Sequence, residues 1–170
     1  MARECRRRGI DAAFCFAGYG NRYQEQTACL TAEDTNIKLL GFASDAELEK
    51  RLSAADIHLI SLRPGWEGIV VPSKFFAALA IGRPVLFAGP EQSSIARWVE
   101  TERLGAVVNR DLGNAIEFLR RLADSREELR EYSMRSQQIY RSKFSKAAIC
   151  KRWNEILADC GSQCTVGAGQ

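Results

Sequence analysis

The sequence contains a single histidine, four prolines and two methionines among its 170 residues. One histidine gives little support to a Ser-His or Cys-His catalytic pair. No apolar run approaches the ~18 residues of a membrane-spanning helix, no Walker-type phosphate loop is present, and no two aspartates have the Asp-x-Asp spacing that holds a divalent cation on a diphosphate. Without Gly-rich linkers or a repeat period, the chain is not predicted to be disordered, collagen-like or a solenoid.

The sequence also lacks a large excess of either positive or negative charge. The 24 basic and 21 acidic residues give a net charge of +3 and are mostly interleaved, which is too balanced for a dedicated nucleic-acid-binding surface. The hydrophobic content of 46% is that of an ordinary globular chain. We therefore expect one domain over residues 1–160 and a flexible, small and polar tail over 161–170.

The basic N-terminal residues and the cysteines give information about the cellular compartment of the protein. Arg3 and the Arg6–Arg8 run are not followed by an apolar segment, so the sequence predicts no secretory signal. No histidine or second cysteine pair lies near the closest two cysteines to complete a zinc site. Free thiols in a reducing cytoplasm are therefore expected, and no metal site. The six cysteines are Cys5, Cys15, Cys29, Cys150, Cys160 and Cys164.

The hydrophobic pattern alternates between strand-like and helix-like segments. Near-continuous apolar runs recur with helical stretches between them, as in β-α-β crossovers, and strands of this composition are typical of a parallel sheet covered on both faces. The pattern predicts a Rossmann-like α/β fold, a parallel sheet with helices on both faces and a helical C-terminus. The predicted strands are Ile10–Ala17, Ile37–Phe42, Asp56–Leu62, Pro84–Ala88 and Ala106–Val108.

Helix signals agree with this alternation. Ser44 and Ser125 each begin a capping-box motif, and Pro72-Ser73 opens a helix that is expected to end at Gly82. Apolar residues at helical spacing form a stripe on one face of each of three predicted helices. These stripes are Leu48, Leu52 and Ala55; Leu112, Ile116, Leu119 and Ala123; and Ile149, Trp153, Ile156 and Leu157.

The loop from Arg63 to Lys74 is the most informative segment. In an open parallel sheet, ligands bind at the carboxyl ends of the strands, and this loop follows the third predicted strand. Glu67 can accept hydrogen bonds from paired sugar hydroxyls, Gly68 permits close backbone approach, and the helix start at Ser73-Lys74 is suited to phosphate. From residue chemistry alone, the alternative of an ordinary turn followed by a helix cap stays open.

Three other features have structural as well as functional interpretations. The Gly18–Gly20 segment lacks the third glycine of a dinucleotide-binding motif and is expected to be a tight turn. His58 lies in an apolar strand and is expected to be a hydrogen-bonded core residue. For Trp66, stacking on a ligand, covering the cleft and packing on a neighbouring domain are equally open.

A series of short motifs runs through residues 37–108, and together they are specific. They are Ile37–Ser44, Leu48, Ala54–Leu59, Glu67-Gly68, Val71–Lys74, Leu79–Val85 and Leu104–Val108. This series resembles the C-terminal, donor-binding half of a GT-B-fold retaining glycosyltransferase of the group-1, sucrose-synthase-like family. A weaker resemblance extends from about residue 2 to residue 157.

The resemblance implies a role for each matching residue. Glu67 would bond the donor sugar and is the expected catalytic residue, and Gly68, Ile69 and Val70 would present backbone N–H groups to the sugar and diphosphate. The remaining donor-binding residues lie in the loops around them. They are Gly18 and Gly20 at the cleft rim, Phe42 and Ala43 near the base, Arg63, and Ser73 and Lys74 near the nucleotide.

The sequence departs from the family pattern in three ways. Ala77 stands where a second glutamate usually bonds the ribose. The first strand of the half-domain and its cationic loop have no counterpart, and neither does the N-terminal acceptor domain. By this comparison the chain begins inside the first helix, and an exposed sheet edge is left that is suited to a homodimer or to covering by a tail.

The implied activity is metal-independent transfer of a sugar from a UDP- or GDP-linked donor to an acceptor hydroxyl, with retention, once the acceptor domain is joined. No cofactor is expected besides the donor. The chain alone is expected to bind nucleotide weakly and to be nearly inactive. A cytoplasmic location, peripheral association with the inner membrane face, and a role in polysaccharide or glycolipid synthesis fit this assignment. A noncatalytic nucleotide- or partner-binding module and a nucleotide-sugar epimerase half are the alternatives.

Overall fold

The computed structural model describes residues 1–18, 21–108 and 112–165. Helices and short strands alternate up to β5, and helices follow it. The elements are α1 (Ala2–Arg7), β1 (Phe14–Ala17), α2 (Asn21–Ala28), β2 (Ile37–Leu40), α3 (Asp45–Ser53), β3 (His58–Ser61), α4 (Ser73–Ala80), β4 (Val85–Ala88), α5 (Ser94–Thr101), β5 (Gly105–Val107), α6 (Gly113–Asp124), α7 (Arg126–Ile139), a π-helical turn (Tyr140–Phe144) and α8 (Lys146–Thr165). The five predicted strands are confirmed. The first four are shorter than their apolar runs, and β5 begins and ends one residue earlier than predicted.

The strands form two parallel sheets. β1 pairs with β2, with Phe14 opposite Ile37, and the second sheet has the order β3-β4-β5. The mixed α/β architecture with parallel strands, flanking helices and a helical C-terminus confirms the predicted fold class. The division into two sheets was not anticipated from the sequence.

One face of the second sheet carries the larger core. Ile60, Val85 and Phe87 from the strands pack against buried side chains of α4 and α5 such as Phe75 and Val99. Phe144, from the π-helical turn, closes this cluster with its ring centroid 5.0 Å from that of Trp98 and 6.0 Å from that of Phe75. The C-terminal segment is therefore integral to the core.

A second cluster joins the two sheets. Leu86 of β4 is buried together with Cys5 of α1 and Leu119 of α6, and the partly buried Phe14 of β1 and Ile57, just before β3, pack against them. An ion pair fixes α1 to the first sheet, since the Arg3 guanidinium donates to both oxygens of the buried Asp34 carboxylate at 2.7 and 2.8 Å. The neighbouring cation holds the pKa of Asp34 well below its usual range.

The predicted capping residues differ in detail. Ser125 caps α7 as predicted, because its Oγ accepts from the Glu128 N–H at 3.1 Å. Ser44 precedes α3, but its hydroxyl donates to the Glu47 carboxylate at 3.1 Å and accepts no cap bond. Gly82 ends the helix opened at Pro72-Ser73 in a left-handed conformation with φ of 69°.

The three apolar stripes differ in how much of their surface is exposed. Leu48 of α3 is 47% exposed, and the α8 side chains Ile149, Trp153, Ile156 and Leu157 are all exposed. In the stripe on α6, Ile116 and Leu119 are buried, whereas Ala123 is exposed. The spacing of apolar residues thus predicted the helices, but not which apolar side chains of each helix would be buried.

Two further expectations concern the C-terminal tail and membrane-spanning helices. α8 is described as far as Thr165, and residues 166–170 of the expected tail lie outside the described part. Among the described helices, none has both the length and the apolar character required to cross a bilayer.

Candidate functional site

The predicted ligand-binding loops follow the strands at one edge of the molecule. The β3–β4 ladder is extended past β3 by the Leu62 N–H, which donates to the Ala88 carbonyl at 3.0 Å. The chain then leaves the sheet through residues 63–72 and enters α4 at Ser73. The corresponding loop after β4 runs from Gly89 to Ser93, where α5 is capped. These two loops follow adjacent strands and therefore meet at the same edge.

Two glycines shape the loop after β3. The Trp66 N–H donates to the Arg63 carbonyl at 3.2 Å, which forms a tight turn, and Gly65 lies within it with φ of 84°. Gly68 has a φ of 83° and reverses the chain a second time. Because non-glycine residues rarely adopt these angles, the sequence fixes both turns and places Glu67 between them.

Both oxygens of the Glu67 carboxylate are engaged. Oε2 accepts from the Gly65 N–H at 2.7 Å, and Oε1 accepts from Nε2 of Gln92 at 3.1 Å. The side chain is half-buried. Each oxygen has a further lone pair, so a carboxylate held in this way can still accept hydrogen bonds from ligand hydroxyls.

Gln92 is a residue that the sequence analysis did not single out. It lies in the loop after β4, and its carbonyl accepts from the Arg97 guanidinium at 3.3 Å. The position of this loop at the carboxyl end of a neighbouring strand was recognised, but its amide-bearing residue was not. Its contact with Glu67 depends on the pairing of β3 with β4, which only the tertiary structure shows.

The backbone donors after Glu67 differ in availability. The N–H groups of Ile69 and Val70 both donate to the Trp66 carbonyl, at 3.2 and 3.1 Å. Within the described residues, the N–H of Gly68 is used by no hydrogen bond that we find. Of the three donors implied by the resemblance, Gly68 is therefore the one available to a ligand without opening the turn.

The start of α4 provides the cationic part of the candidate site. Pro72 precedes the helix with φ of −59° and has no N–H to lose, and Phe75 donates back to the Pro72 carbonyl at 3.0 Å. The side chains of Ser73 and Lys74 are exposed, as is that of Arg63 at the other end of the loop. Two side-chain cations and the positive end of the helix dipole thus lie along one loop.

The remaining predicted donor-binding residues have no described contact with the Glu67 loop. Phe42 is 79% exposed and Ala43 is half-buried, both in the loop between β2 and α3. Gly18 continues the β1–β2 ladder through its N–H, which donates to the Leu40 carbonyl at 3.2 Å. Gly20 lies outside the described residues. No contact that we describe joins these residues to the Glu67 loop, so their common role stays a prediction.

His58 has the structural role expected from its strand position. Its Nε2 lies 3.0 Å from the Leu52 carbonyl oxygen. Burial lowers the pKa of His58, and the charge of Arg83 lowers it further, whereas the hydrogen bond to Leu52 opposes this lowering.

In the described part of the chain no three His, Cys, Asp or Glu side chains are grouped to hold a metal. Trp66, beside Glu67, is 48% exposed.

A cavity of about 470 Å³ lies away from the Glu67 loop. It is between the first sheet and helices α1 and α2, and its lining is mostly apolar. The residues are Met1, Ala2, Arg3, Phe16, Glu25, Gln26, Cys29, Leu30, Ile37 and Leu39.

Comparison with known proteins identifies the fold. Neither the family models nor the curated proteins include a match to this chain. Among solved structures, the chain is similar to WaaG, a glycosyltransferase involved in lipopolysaccharide biosynthesis, with a TM-score of 0.56 and 16% sequence identity. The similarity covers 78% of this chain and 34% of WaaG, so the chain corresponds to about a third of that protein. At this identity the likeness shows the fold alone, and that fold is consistent with one half of a GT-B architecture.

Proposed function

We propose that this chain is the donor-binding half of a glycosyltransferase that uses a nucleoside-diphosphate sugar, UDP- or GDP-linked. One observation carries the proposal: a single loop at the carboxyl edge of the sheet holds Glu67 in a fixed orientation and leads directly into the α4 start with Ser73 and Lys74. A carboxylate suits sugar hydroxyls, and a helix start with a cation suits a diphosphate. The fold shared with WaaG supports this assignment.

In this proposal the chain contributes binding and charge stabilisation. Glu67 orients the sugar through its free lone pairs while Gly65 and Gln92 hold the carboxylate. Lys74, Arg63 and the α4 dipole stabilise the negative charge that builds on the leaving diphosphate. Preorganised groups of this kind lower the barrier because they need no rearrangement during the reaction. Transfer with retention to an acceptor hydroxyl requires the acceptor domain, which we propose as the partner of this chain.

Further parts of the proposal are the cellular setting and the acceptor surface. The exposed apolar side chains of α8, including Trp153, provide a surface for the acceptor domain or for peripheral attachment to a membrane. Cytoplasmic synthesis of a glycolipid or polysaccharide is consistent with such a surface.

A second candidate function is a noncatalytic nucleotide- or partner-binding module. Ala77 favours it, because an alanine in α4 cannot accept a hydrogen bond from a ribose through its side chain. An epimerase half is less well supported, because His58, the only histidine, lies within β3 with its Nε2 at the Leu52 carbonyl. The donor-binding half and the noncatalytic module differ in whether Glu67 affects binding of the sugar.

Thermal shifts test the proposal directly. We would measure the unfolding midpoint with UDP, GDP, ADP and the UDP- and GDP-sugars, in the unaltered chain and in Glu67→Gln and Lys74→Met. A ligand at 100 times its dissociation constant adds about 2.7 kcal/mol, which raises the midpoint by roughly 5–11 °C at this size. Lys146→Met and Glu131→Gln, exposed residues of α8 and α7, serve as matched controls.

The expected result is a base-selective shift that Lys74→Met reduces for every nucleotide and Glu67→Gln reduces for sugar-linked nucleotides only. A shift that both substitutions leave unchanged would contradict the donor site. A shift for nucleotides with no added contribution from the sugar would favour the noncatalytic module.

A further inference from the structure

Helix α8 projects from the rest of the protein. It contacts the π-helical turn that precedes it, and every side chain from Ile149 to Cys160 is exposed. At 1.5 Å per residue, this part of the helix extends over about 18 Å. Because a helix of this length is marginal in water when it packs against nothing, a partner along its apolar face would stabilise it.

The apolar side chains of this segment share one face. Ile149, Trp153, Ile156 and Cys160 follow one another at intervals of four, three and four residues, which is the spacing of the seam between two packed helices. The first three side chains are 38%, 59% and 42% exposed. We call these four residues the α8 seam.

Opposite charges lie along one edge of the α8 seam. Arg152 precedes Trp153 and Asp159 precedes Cys160, so the two charged residues are seven positions apart on the same side of the helix. The ion pair that we find on α8 in the described chain is a different one. It joins Lys151 to Glu155 at 4.0 Å, on the face away from the seam.

This arrangement is complementary to itself when two helices run antiparallel. In the register that sets Trp153 opposite Ile156 of the second copy, Ile149 lies opposite Cys160 of the second copy. The same register brings Arg152 beside Asp159 of the second copy, and the two-fold symmetry repeats every contact. The charges at the edges of such a seam determine the orientation of the helices.

A parallel pair lacks this complementarity. It would stack Trp153 on Trp153 of the second copy and would set Arg152 beside Leu157, with no opposite charge within reach. The order of charges along α8 therefore favours the antiparallel pair.

We propose that the α8 seam binds a second copy of this chain, with the two α8 helices antiparallel and with Arg152 paired to Asp159 across the interface. The contact is only about three helical turns long, which is small for a permanent interface, so a reversible dimer in the high-micromolar range is expected. The acceptor domain and the membrane surface considered above would compete for the same face. The dimer contact uses no residue of the donor site, so each proposal can fail without the other.

Sedimentation equilibrium of the full chain, from roughly 10 μM to 1 mM, measures this association. A reducing agent is present because Cys150 and Cys160 are exposed free thiols. Trp153→Ala should weaken the association at least about tenfold, as expected for a central aromatic residue of an interface. Asn154→Ala, an exposed neighbour outside the seam, should leave it unchanged.

A charge exchange tests the register. Arg152→Asp sets like charges side by side at both symmetric positions and should weaken the association about tenfold. Adding Asp159→Arg to the same chain restores opposite charges and should restore the association. Lys151→Asp, on the face away from the seam, should have no such effect. All of these residues are exposed and outside both core clusters, so the unfolding midpoint serves to confirm that each variant is folded.

The other outcomes overturn the proposal. If the chain stays monomeric at every concentration but binds vesicles of phosphatidylglycerol through Trp153, the seam belongs to a lipid surface. A monomer that binds no vesicle would leave the seam to the acceptor domain. Association that survives Trp153→Ala would place the contact elsewhere, such as an exposed sheet edge, and loss in Arg152→Asp without rescue by the double exchange would refute the antiparallel register.

Discussion

Nε2 of Gln92 donates to Oε1 of Glu67 at 3.1 Å, and this bond connects the loops that follow β3 and β4. The other carboxylate oxygen accepts from the Gly65 N–H at 2.7 Å. Glu67 is thus oriented by its own loop and by the neighbouring one. Its direction depends on the pairing of two strands that are separated in sequence by helix α4.

Gln92→Ala should therefore weaken binding of a nucleotide sugar more than binding of the corresponding nucleoside diphosphate. Loss of one hydrogen bond to a charged group is worth about 1.5 kcal/mol, or roughly a tenfold change in dissociation constant. Titration calorimetry with both ligands gives the ratio, and Gln24→Ala on α2 is the matched control. Equal losses for the two ligands would show that Gln92 does not act through Glu67.

Gly105→Ala should be severely destabilising. Gly105 has φ of 155°, and a Cβ at this position would be 1.7 Å from the Val85 carbonyl oxygen in the neighbouring strand. Relief requires β4 and β5 to separate, so we expect a loss of at least about 3 kcal/mol in the free energy of unfolding. Urea denaturation measures the loss, with Gly41→Ala as the control.

Gly41 has nothing within 4 Å of an added Cβ, and its substitution should change stability by no more than about 0.5 kcal/mol. If Gly105→Ala and Gly41→Ala unfold at the same urea concentration, the close approach of β4 and β5 described here is wrong.

The two capping serines should respond differently to alanine. Ser125→Ala removes the bond from the Glu128 N–H and should cost about 1 kcal/mol. Ser44→Ala removes only a hydroxyl contact to the exposed Glu47 carboxylate, so its effect should be smaller. Chemical denaturation of both variants compares them, and a larger effect at Ser44 would indicate that its capping box forms fully in solution.

His58 should make the stability of the chain depend on pH below neutrality. Burial lowers the pKa of His58 in the folded state, so between the folded and unfolded pKa values the unfolded chain binds more protons. Its contribution is fully present above the unfolded pKa of about 6.5, and it is lost as the pH falls through the folded pKa. His58→Gln, whose amide can still donate to Leu52, should reduce this loss between pH 7 and 5.

Thermal unfolding across that pH range tests the assignment. The only histidine in the sequence is His58, and Arg83→Gln is a useful second variant because the Arg83 charge adds to the lowering of the pKa. An unchanged pH profile in His58→Gln would show that other groups are responsible.

Much of the fold followed from local sequence signals. Apolar runs located every strand, and Pro72, Gly82 and Ser125 marked helix ends because each acts through its own backbone or side chain. The lengths of the first four strands were overestimated because apolar residues such as Ile10 are buried without joining a ladder. Burial alone does not distinguish a strand from the segment that leads into it.

Only part of the candidate site could be predicted from the sequence. The loop from Arg63 to Lys74 could be located, since its glycines and the helix start are local features. Gln92 could not be found, because its contact with Glu67 requires β3 and β4 to be adjacent. The use of the Ile69 and Val70 N–H groups by Trp66 was likewise hidden, because it depends on how two successive glycine turns fold back on each other.

The sequence by itself determined the alternation of helices and strands, the parallel character of the strands and the position of the Glu67 loop. Each of these depends on hydrophobic period, capping chemistry or glycine conformation, which act over a few residues. Only the tertiary structure decided that the strands form two sheets, that Leu48 and the α8 stripe stay exposed, and that Gln92 reaches Glu67. Strand pairing joins residues far apart in the chain, so no local pattern encodes which edge is left without a partner.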